Sequence, residues 1–153
     1  VLLAPEARTV AFGAYADGPS LAGLATTYAF FESTPEEDAG RVMEVLAAAR
    51  AERGLSPAIR SMTVPGMEEA LGRLARGERS PAGALDDVMR AVSASGRSVR
   101  GWAGATADLA MTPLPDELTA AFDAPRVGVG VVPYRAPGGA WGQYGILLVQ
   151  LVD

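Results

Sequence analysis

Strands and helices do not alternate one for one along this chain, and that order limits the folds it can adopt. Residue patterns predict two strands, three helices, a strand, a helix and two further strands. A regular alternation would have predicted a parallel sheet built from βαβ units. The order found here predicts an α+β fold, with a mixed or antiparallel sheet covered by helices. The length of 153 residues fits one domain with a sizeable core.

The predicted strands are rich in β-branched, aromatic and apolar residues, and turn residues separate them. The first two form an N-terminal β-hairpin around the Asp-Gly-Pro-Ser turn at 17–20. The last two flank a loop that contains Pro-Gly-Gly at 137–139, which predicts an antiparallel hairpin. The predicted strands span residues 9–15, 24–31, 98–105, 127–132 and 144–152, and residues 55–64 form a loop or short strand.

The helices are predicted from their capping residues and from apolar stripes at helical spacing. Thr34 is a natural N-cap, Pro35 stands at the first helical position and Glu37 completes a capping box. Ser80 and Pro81 repeat the cap-and-proline pattern. Glycines at 54, 77 and 96 end three helices. The predicted helices span residues 35–53, 67–76, 81–95 and 116–122.

The composition excludes most kinds of catalytic site. The chain has no His, Cys, Lys or Asn, and all 13 of its basic residues are Arg. It therefore has no imidazole base, thiol nucleophile, Schiff-base lysine or P-loop lysine. With a net charge of −5, the chain also lacks the excess of basic residues that is typical of nucleic-acid-binding domains. Carboxylate chemistry, hydroxyl chemistry and binding remain.

No apolar run approaches the length of a transmembrane segment. A membrane helix needs about 20 apolar residues, and the run at 146–149 is far shorter. The chain begins at Val1 without a Met, so we expect a processed or trimmed form from which any signal peptide has been removed.

Several motifs have both a structural and a functional interpretation. Gly128-Val-Gly130 lacks the third glycine and the following helix of a dinucleotide loop, which favours a strand that another element approaches closely. Arg73, Arg76 and Arg79 follow one side of a helix end, where cations are favourable, although an anionic ligand is the alternative. The adjacent acids at 36–38, 68–69 and 86–87 are interpreted as solvated helix faces or N-terminal dipole partners.

Aromatic residues concentrate near the C-terminal hairpin loop. Trp102, Tyr134, Trp141 and Tyr144 either cap the core or form an exposed surface for sugar rings or lipid headgroups.

The C-terminal segment resembles the CAP superfamily (cysteine-rich secretory, antigen 5 and pathogenesis-related proteins), in its bacterial SCP-like branch. The resemblance rests on the order of a short helix, a Pro-containing turn, a Val-Gly-Val-Gly strand at 127–130 and a final strand that ends near Val149-Gln150. The helix with Arg50 followed by Gly54-Leu55 is similar to the opening helix of that family, with Ala47 in place of its Asn. The resemblance covers roughly residues 37–151.

The resemblance implies a three-layer α-β-α sandwich, a secreted or cell-envelope location and a central cleft. In many family members two His and two Glu in that cleft can bind a divalent metal. In this chain Glu69 and Glu117 fall near the family's His positions, and Ser-Val-Arg-Gly at 98–101 replaces the expected Gly-Glu-Asn segment. A His-based metal site is therefore excluded, and we expect neither a metal nor another cofactor. Residues 1–33 form an N-terminal hairpin extension in this interpretation, which either adds strands to the sheet or is the end of a preceding module, and residues 34–153 form the CAP-like domain.

Three hypotheses follow. The first is a non-catalytic, extracytoplasmic CAP-like binding module whose ligand is a lipid, a glycan or a protein. Its expected cleft residues are Glu69, Arg73, Trp102, Glu117, Trp141 and Tyr144, with Arg73 paired to one of the glutamates or to an anionic ligand. The second is a hydrolase in which Glu69 and Glu117 act as acid and base. The third is a structural interaction domain of a larger envelope protein, which predicts an exposed apolar patch and no cleft.

Overall fold

The fold was analysed in a computed structural model that describes residues 33–120, 124–139 and 142–152. These residues form four α-helices, one short 3₁₀ helix and four strands. In chain order they are α1 (Pro35–Glu52), β1 (Arg60–Ser61), α2 (Met67–Ala75), α3 (Pro81–Ala94), β2 (Val99–Thr106), the 3₁₀ helix (Leu109–Met111), α4 (Asp116–Ala120), β3 (Arg126–Tyr134) and β4 (Gln143–Leu151). The predicted N-terminal hairpin lies outside the described residues.

The helix caps predicted from the sequence are confirmed. The Thr34 hydroxyl accepts a hydrogen bond from the Glu37 backbone N–H at 3.0 Å, and the Glu37 carboxylate accepts one from the Thr34 N–H at 3.1 Å. The Ser80 hydroxyl accepts from the Gly83 N–H at 3.1 Å and starts α3 in the same way. Gly54 and Gly77 adopt φ angles of 76°, where a side chain would be strained.

The four strands form a mixed sheet in the order β1-β3-β4-β2. Strands β3 and β4 are the predicted antiparallel hairpin, with Val131 opposite Ile146. Strand β2 pairs antiparallel with the other side of β4, and β1 pairs parallel with β3. The predicted α+β class with a helix-covered sheet is therefore confirmed.

Strand β4 contributes to two separate hydrophobic clusters. Leu147 and Val149 belong to the first, here called the α2/α3 cluster, whereas Ile146 and Leu148 belong to the second, the α1/α4 cluster. Since successive residues of a strand point to opposite faces, the two clusters lie on opposite faces of the sheet. The buried members of the α2/α3 cluster are Val64, Ala70, Leu74, Ala84, Val88, Val92, Tyr134, Leu147 and Val149. Those of the α1/α4 cluster are Val42, Leu46, Leu109, Leu118, Val127, Val131, Ile146 and Leu148.

Glycines on β3 allow α2 and the segment before it to approach the sheet closely. A Cβ built on Gly128 would lie 2.1 Å from a Val64 methyl carbon, and one on Gly130 would lie 2.4 Å from a Leu71 methyl carbon. Both distances are far below van der Waals contact, so a larger residue at either position would force the neighbouring side chain to move. The close-approach interpretation of the Gly-Val-Gly motif is confirmed.

A buried arginine connects α1 to α4 and to the loop after α1. The Arg50 side chain is fully buried, and its guanidinium donates to the carbonyls of Ser56 at 2.8 Å and Thr119 at 3.3 Å. Buried Gln150 donates to the Leu118 carbonyl at 3.4 Å and accepts from Arg100 at 2.9 Å. Polar side chains of α1 and β4 therefore bind the last carbonyls of a helix too short to be stable alone.

Among the described residues, no helix has the length and apolar character needed to span a bilayer.

Replacing Gly130 with Ala should destabilise the fold by about 1–3 kcal/mol, because the added methyl forces Leu71 and α2 away from the sheet. Urea unfolding measures the change. Gly40→Ala is the matched control, since nothing lies within 4 Å of its Cβ position on α1. That control should stabilise the chain by about 0.5–1 kcal/mol. Equal effects of the two substitutions would contradict the close-packing account.

Replacing Arg50 with Met should cost about 2–4 kcal/mol in the free energy of unfolding, since it removes the hydrogen bonds to the buried Thr119 carbonyl and the partly buried Ser56 carbonyl while the side-chain volume is nearly kept. The exposed Arg41→Met on the same helix is the control and should change stability by less than about 0.5 kcal/mol. If Arg50→Met lowered the free energy of unfolding no more than Arg41→Met does, the hydrogen bonds of the buried arginine would contribute little to stability.

Candidate functional site

The outer edge of β3 is covered along only part of its length by described residues. Strand β1 pairs with β3 at Arg126 and Val127, and the Met62 N–H donates to the Val127 carbonyl at 3.0 Å. After Met62 the chain turns away toward α2, because Pro65 and Gly66 precede that helix. Within the described ranges, β3 has no strand partner on this side beyond Val127.

The register of the sheet identifies the backbone groups at this edge. The backbone C=O of Val127 points toward β1. Along a strand, the backbone N–H and C=O groups of successive residues point alternately to one edge and to the other. The N–H and C=O groups of Val129 and Val131 therefore point to the same outer edge as those of Val127. The next residue in this series is Pro133, which has no N–H to donate. A proline in this position is typical of an edge strand.

The uncovered edge forms the floor of a groove of about 540 Å³, here called the β3 groove. One wall comes from α1, through Pro35, Glu36 and Ala39. The other comes from α2 and the segment before it. The lining residues from that side are Met62, Thr63, Val64, Met67, Glu68, Leu71 and Gly72, and residues 128–132 form the floor. Because α1 and α2 pack on opposite faces of the sheet, the groove opens between the two helical layers.

The lining of the β3 groove is apolar and acidic. Glu36 and Glu68 are exposed on opposite walls, and none of the described residues that line the groove is basic. Two other surface grooves differ in this respect. The groove between α1 and the 3₁₀ helix contains Arg41 with several acids, and the groove beside the α2–α3 loop contains Arg79 and Arg135 with Glu78. The charge pattern of the β3 groove therefore favours a cationic or amide-bearing ligand.

The structure does not bring Glu69 and Glu117 together. Glu69 is exposed on α2, whose neighbouring Ala70 belongs to the α2/α3 cluster. Glu117 is exposed on α4, whose neighbouring Leu118 belongs to the α1/α4 cluster. The sheet lies between these clusters. The two carboxylates therefore lie on different sides of the molecule.

The expected pairing of Arg73 with Glu69 or Glu117 is replaced by a local ion cluster. Within the described part of the chain, the Arg73 guanidinium lies 3.6 Å from Glu78 and 3.7 Å from Asp87. Arg79 binds the Asp87 carboxylate with two nitrogens, each at 2.9 Å. Arg73 stands at the end of α2, so its side chain reaches the following loop and α3 and not the first turn of α2.

The ion cluster shifts the pKa values of its carboxyl groups. Hydrogen bonds from Arg79 and then from Arg90 hold the pKa of Asp87 below its ordinary value. The hydrogen bond from Arg76 lowers the pKa of Glu78 in the same way. These charges join the end of α2 and the loop after it to the middle of α3, so the arginine series has a structural role there.

The remaining predicted residues divide between the core and a part of the chain that is not described. Trp102 is partly buried against the α1/α4 cluster, and its ring lies against Gly104, where a Cβ would come within 2.6 Å of it. Tyr144 packs on the same cluster. Trp141 lies outside the described residues. Trp102 and Tyr144 therefore pack against the core, as the core-capping interpretation expects.

Burial raises the pKa of the Tyr144 phenol, and the negative charge of nearby Asp38 raises it further. Asp38 is only 3% exposed, and its Oδ1 has no hydrogen-bond partner among the described residues. Because the buried carboxylate disfavours a second negative charge, the phenol stays protonated and able to donate a hydrogen bond.

The residues present do not fit the metal site that the family resemblance implies. The chain contains no His, and the two glutamates nearest the family positions lie on opposite faces of the sheet. In the described ranges, no group of three or more Asp or Glu side chains is close enough to hold a metal ion.

Comparison of the chain with protein-family models, with curated proteins and with solved structures finds no match.

Sequence reasoning missed the residues of the β3 groove. Glu36 and Glu68 were interpreted only as acids of solvated helix faces, and Val129 and Val131 only as part of a strand. Pro133, two residues after Val131, was the available signal, because proline inside a strand indicates an edge.

The ion cluster makes stability depend on pH through Asp87. A lowered folded-state pKa stabilises the fold above the unfolded value, and this stabilisation is lost as pH falls through the folded value. Asp87→Asn should therefore lower Tm at pH 7, and the difference in Tm from the parent should shrink as pH falls through the lowered pKa of Asp87. Asp86→Asn, an exposed neighbour, is the control. If the Tm difference between Asp87→Asn and the parent were the same at pH 7 and at acid pH, the ion-pair account would be contradicted.

Proposed function

We propose that this chain is a non-catalytic, extracytoplasmic binding module of the CAP type that has lost the family's His-based metal site. The finer fold proposal is a three-layer α-β-α sandwich. The alternation of β4 between two clusters supports it, with α1 and α4 on one face and α2 and α3 on the other. The burial of Arg50 and Gln150, two residues that carry the resemblance, also supports it.

The β3 groove is the observation that carries the binding proposal. It combines apolar walls, two carboxylates and backbone groups that have no strand partner in the described part of the chain, which are features of ligand and peptide sites. Among the described lining residues Thr63 alone carries a hydroxyl, and the chain has no His, Cys or Lys side chain to place beside it. Such a lining favours binding over nucleophilic catalysis.

The two alternatives have less support. A carboxylate hydrolase needs two carboxyl groups about 5–9.5 Å apart across a substrate, whereas Glu69 and Glu117 lie on opposite sides of the sheet. A structural interaction domain predicts an exposed apolar patch. Among the described residues Met111, at 73% exposure, is the only strongly exposed large hydrophobic side chain.

The test is a set of NMR titrations of the ¹⁵N-labelled full chain with three probes. These are dihexanoyl phosphatidylcholine below its micelle concentration, chitotetraose, and a short extended peptide. At least one probe should shift the backbone resonances of residues 129–132 and of α2 residues that line the groove. Glycan cleavage during the titration, or an absence of shifts at the groove with all three probes, would overturn the proposal.

A further inference from the structure

We propose that the partner of the β3 groove is an extended protein segment that adds a strand to the part of the β3 edge that no described strand covers, and that carries a basic residue on each face. This inference rests on the proposed function and names the class of ligand for the same groove. It is carried by the backbone groups of β3 that have no strand partner among the described residues, by the shape of the groove and by the charges on its walls.

The backbone groups at the edge match those of an incoming strand. Val129 and Val131 each present an N–H and a C=O to the groove, and Pro133 presents a C=O. Strand β1 already uses the first part of this edge, so an added segment would continue the sheet beyond β1. Residues 129–133 span roughly 17 Å, which is the length of an average strand.

The two walls of the groove would receive alternate side chains of the segment. In a strand, neighbouring side chains point to opposite faces, so one set would contact α1 and the other α2. Pro35 and Ala39 provide apolar surface on the α1 wall, and Met67 and Leu71 provide it on the α2 wall. Apolar residues on both faces of the segment therefore fit the space between the helices.

Charge complementarity selects basic residues. Each wall carries one exposed glutamate, Glu36 on α1 and Glu68 on α2, and the described lining residues include no cation that would neutralise them. Two adjacent basic residues point to opposite faces of a strand, so a dibasic pair within an apolar segment places one cation toward each wall. A lipid tail or a sugar chain would leave the edge amides of Val129 and Val131 without regular partners.

The test uses the acetylated and amidated hexapeptide Thr-Val-Arg-Arg-Val-Thr and the ¹⁵N-labelled full chain. Binding should shift the amide resonances of Val129 and Val131 and slow their exchange with solvent. Replacing both arginines of the peptide with citrulline, which keeps the shape and removes the charge, should weaken binding by on the order of ten-fold. N-methylation of alternate backbone amides on the pairing edge should abolish binding.

Variants of the protein test the contribution of the two groove glutamates to peptide binding. The double variant Glu36→Gln with Glu68→Gln should weaken binding of the arginine peptide about ten-fold and leave the citrulline peptide unaffected. The matched control is Glu44→Gln with Glu52→Gln, which changes the net charge equally at exposed positions outside the β3 groove. This control should change affinity by less than about two-fold.

The outcomes separate the inference from the proposed function. If the lipid or the glycan shifts the groove residues and the peptide does not, the strand-addition inference is wrong and the binding function stands. If no probe shifts them, both are wrong. Equal binding of the N-methylated peptide, or concentration-dependent dimerisation of the free chain through β3 in sedimentation velocity, would also overturn the inference, because the edge would then have another role or another occupant.

Discussion

The burial of β4 on both of its faces is the constraint on which the rest of the structure depends. Residues 145–151 of this strand are all buried, and the side chains of residues 146–149 alternate between two hydrophobic clusters. A strand of this kind needs helices on both sides and a strand on each edge. Strands β2 and β3 occupy those edges, and the helices divide between the faces.

This division explains why Glu69 and Glu117 do not face each other. The resemblance to the CAP superfamily placed Glu69 and Glu117 near equivalent functional positions, and each does stand on a helix of the expected kind. Their helices pack on opposite faces of the sheet, however, so the central layer separates the carboxylates. Two helical layers can approach a common ligand only at an edge of that sheet, and the β3 groove lies at such an edge.

The sequence predicted the local features of the fold well and the long-range ones poorly. The starts of α1, α2 and α3 agree with the predictions, because a cap, a proline or an apolar stripe is decided within a few residues. The parallel pairing of β1 with β3 was not predicted, since it joins residues more than 60 positions apart and involves only a two-residue strand. The groove was missed for the same reason, because its walls and floor together come from four separate segments. Arg73 shows the same limit of sequence-based prediction for a single side chain. Helical spacing predicted the side of α2 on which Arg73 lies, but it did not predict its ion-pair partners Glu78 and Asp87 in the following loop and helix.

The most direct test of the account is amide hydrogen exchange along β3 in the free chain. The N–H groups of Gly128 and Gly130 point to β4, whereas those of Val129 and Val131 point to the open edge. The account predicts strong protection at Gly128 and Gly130 and weak protection at Val129 and Val131. Equal, strong protection at all four positions would show that the edge is already paired, and it would contradict the assignment of this edge as a binding site.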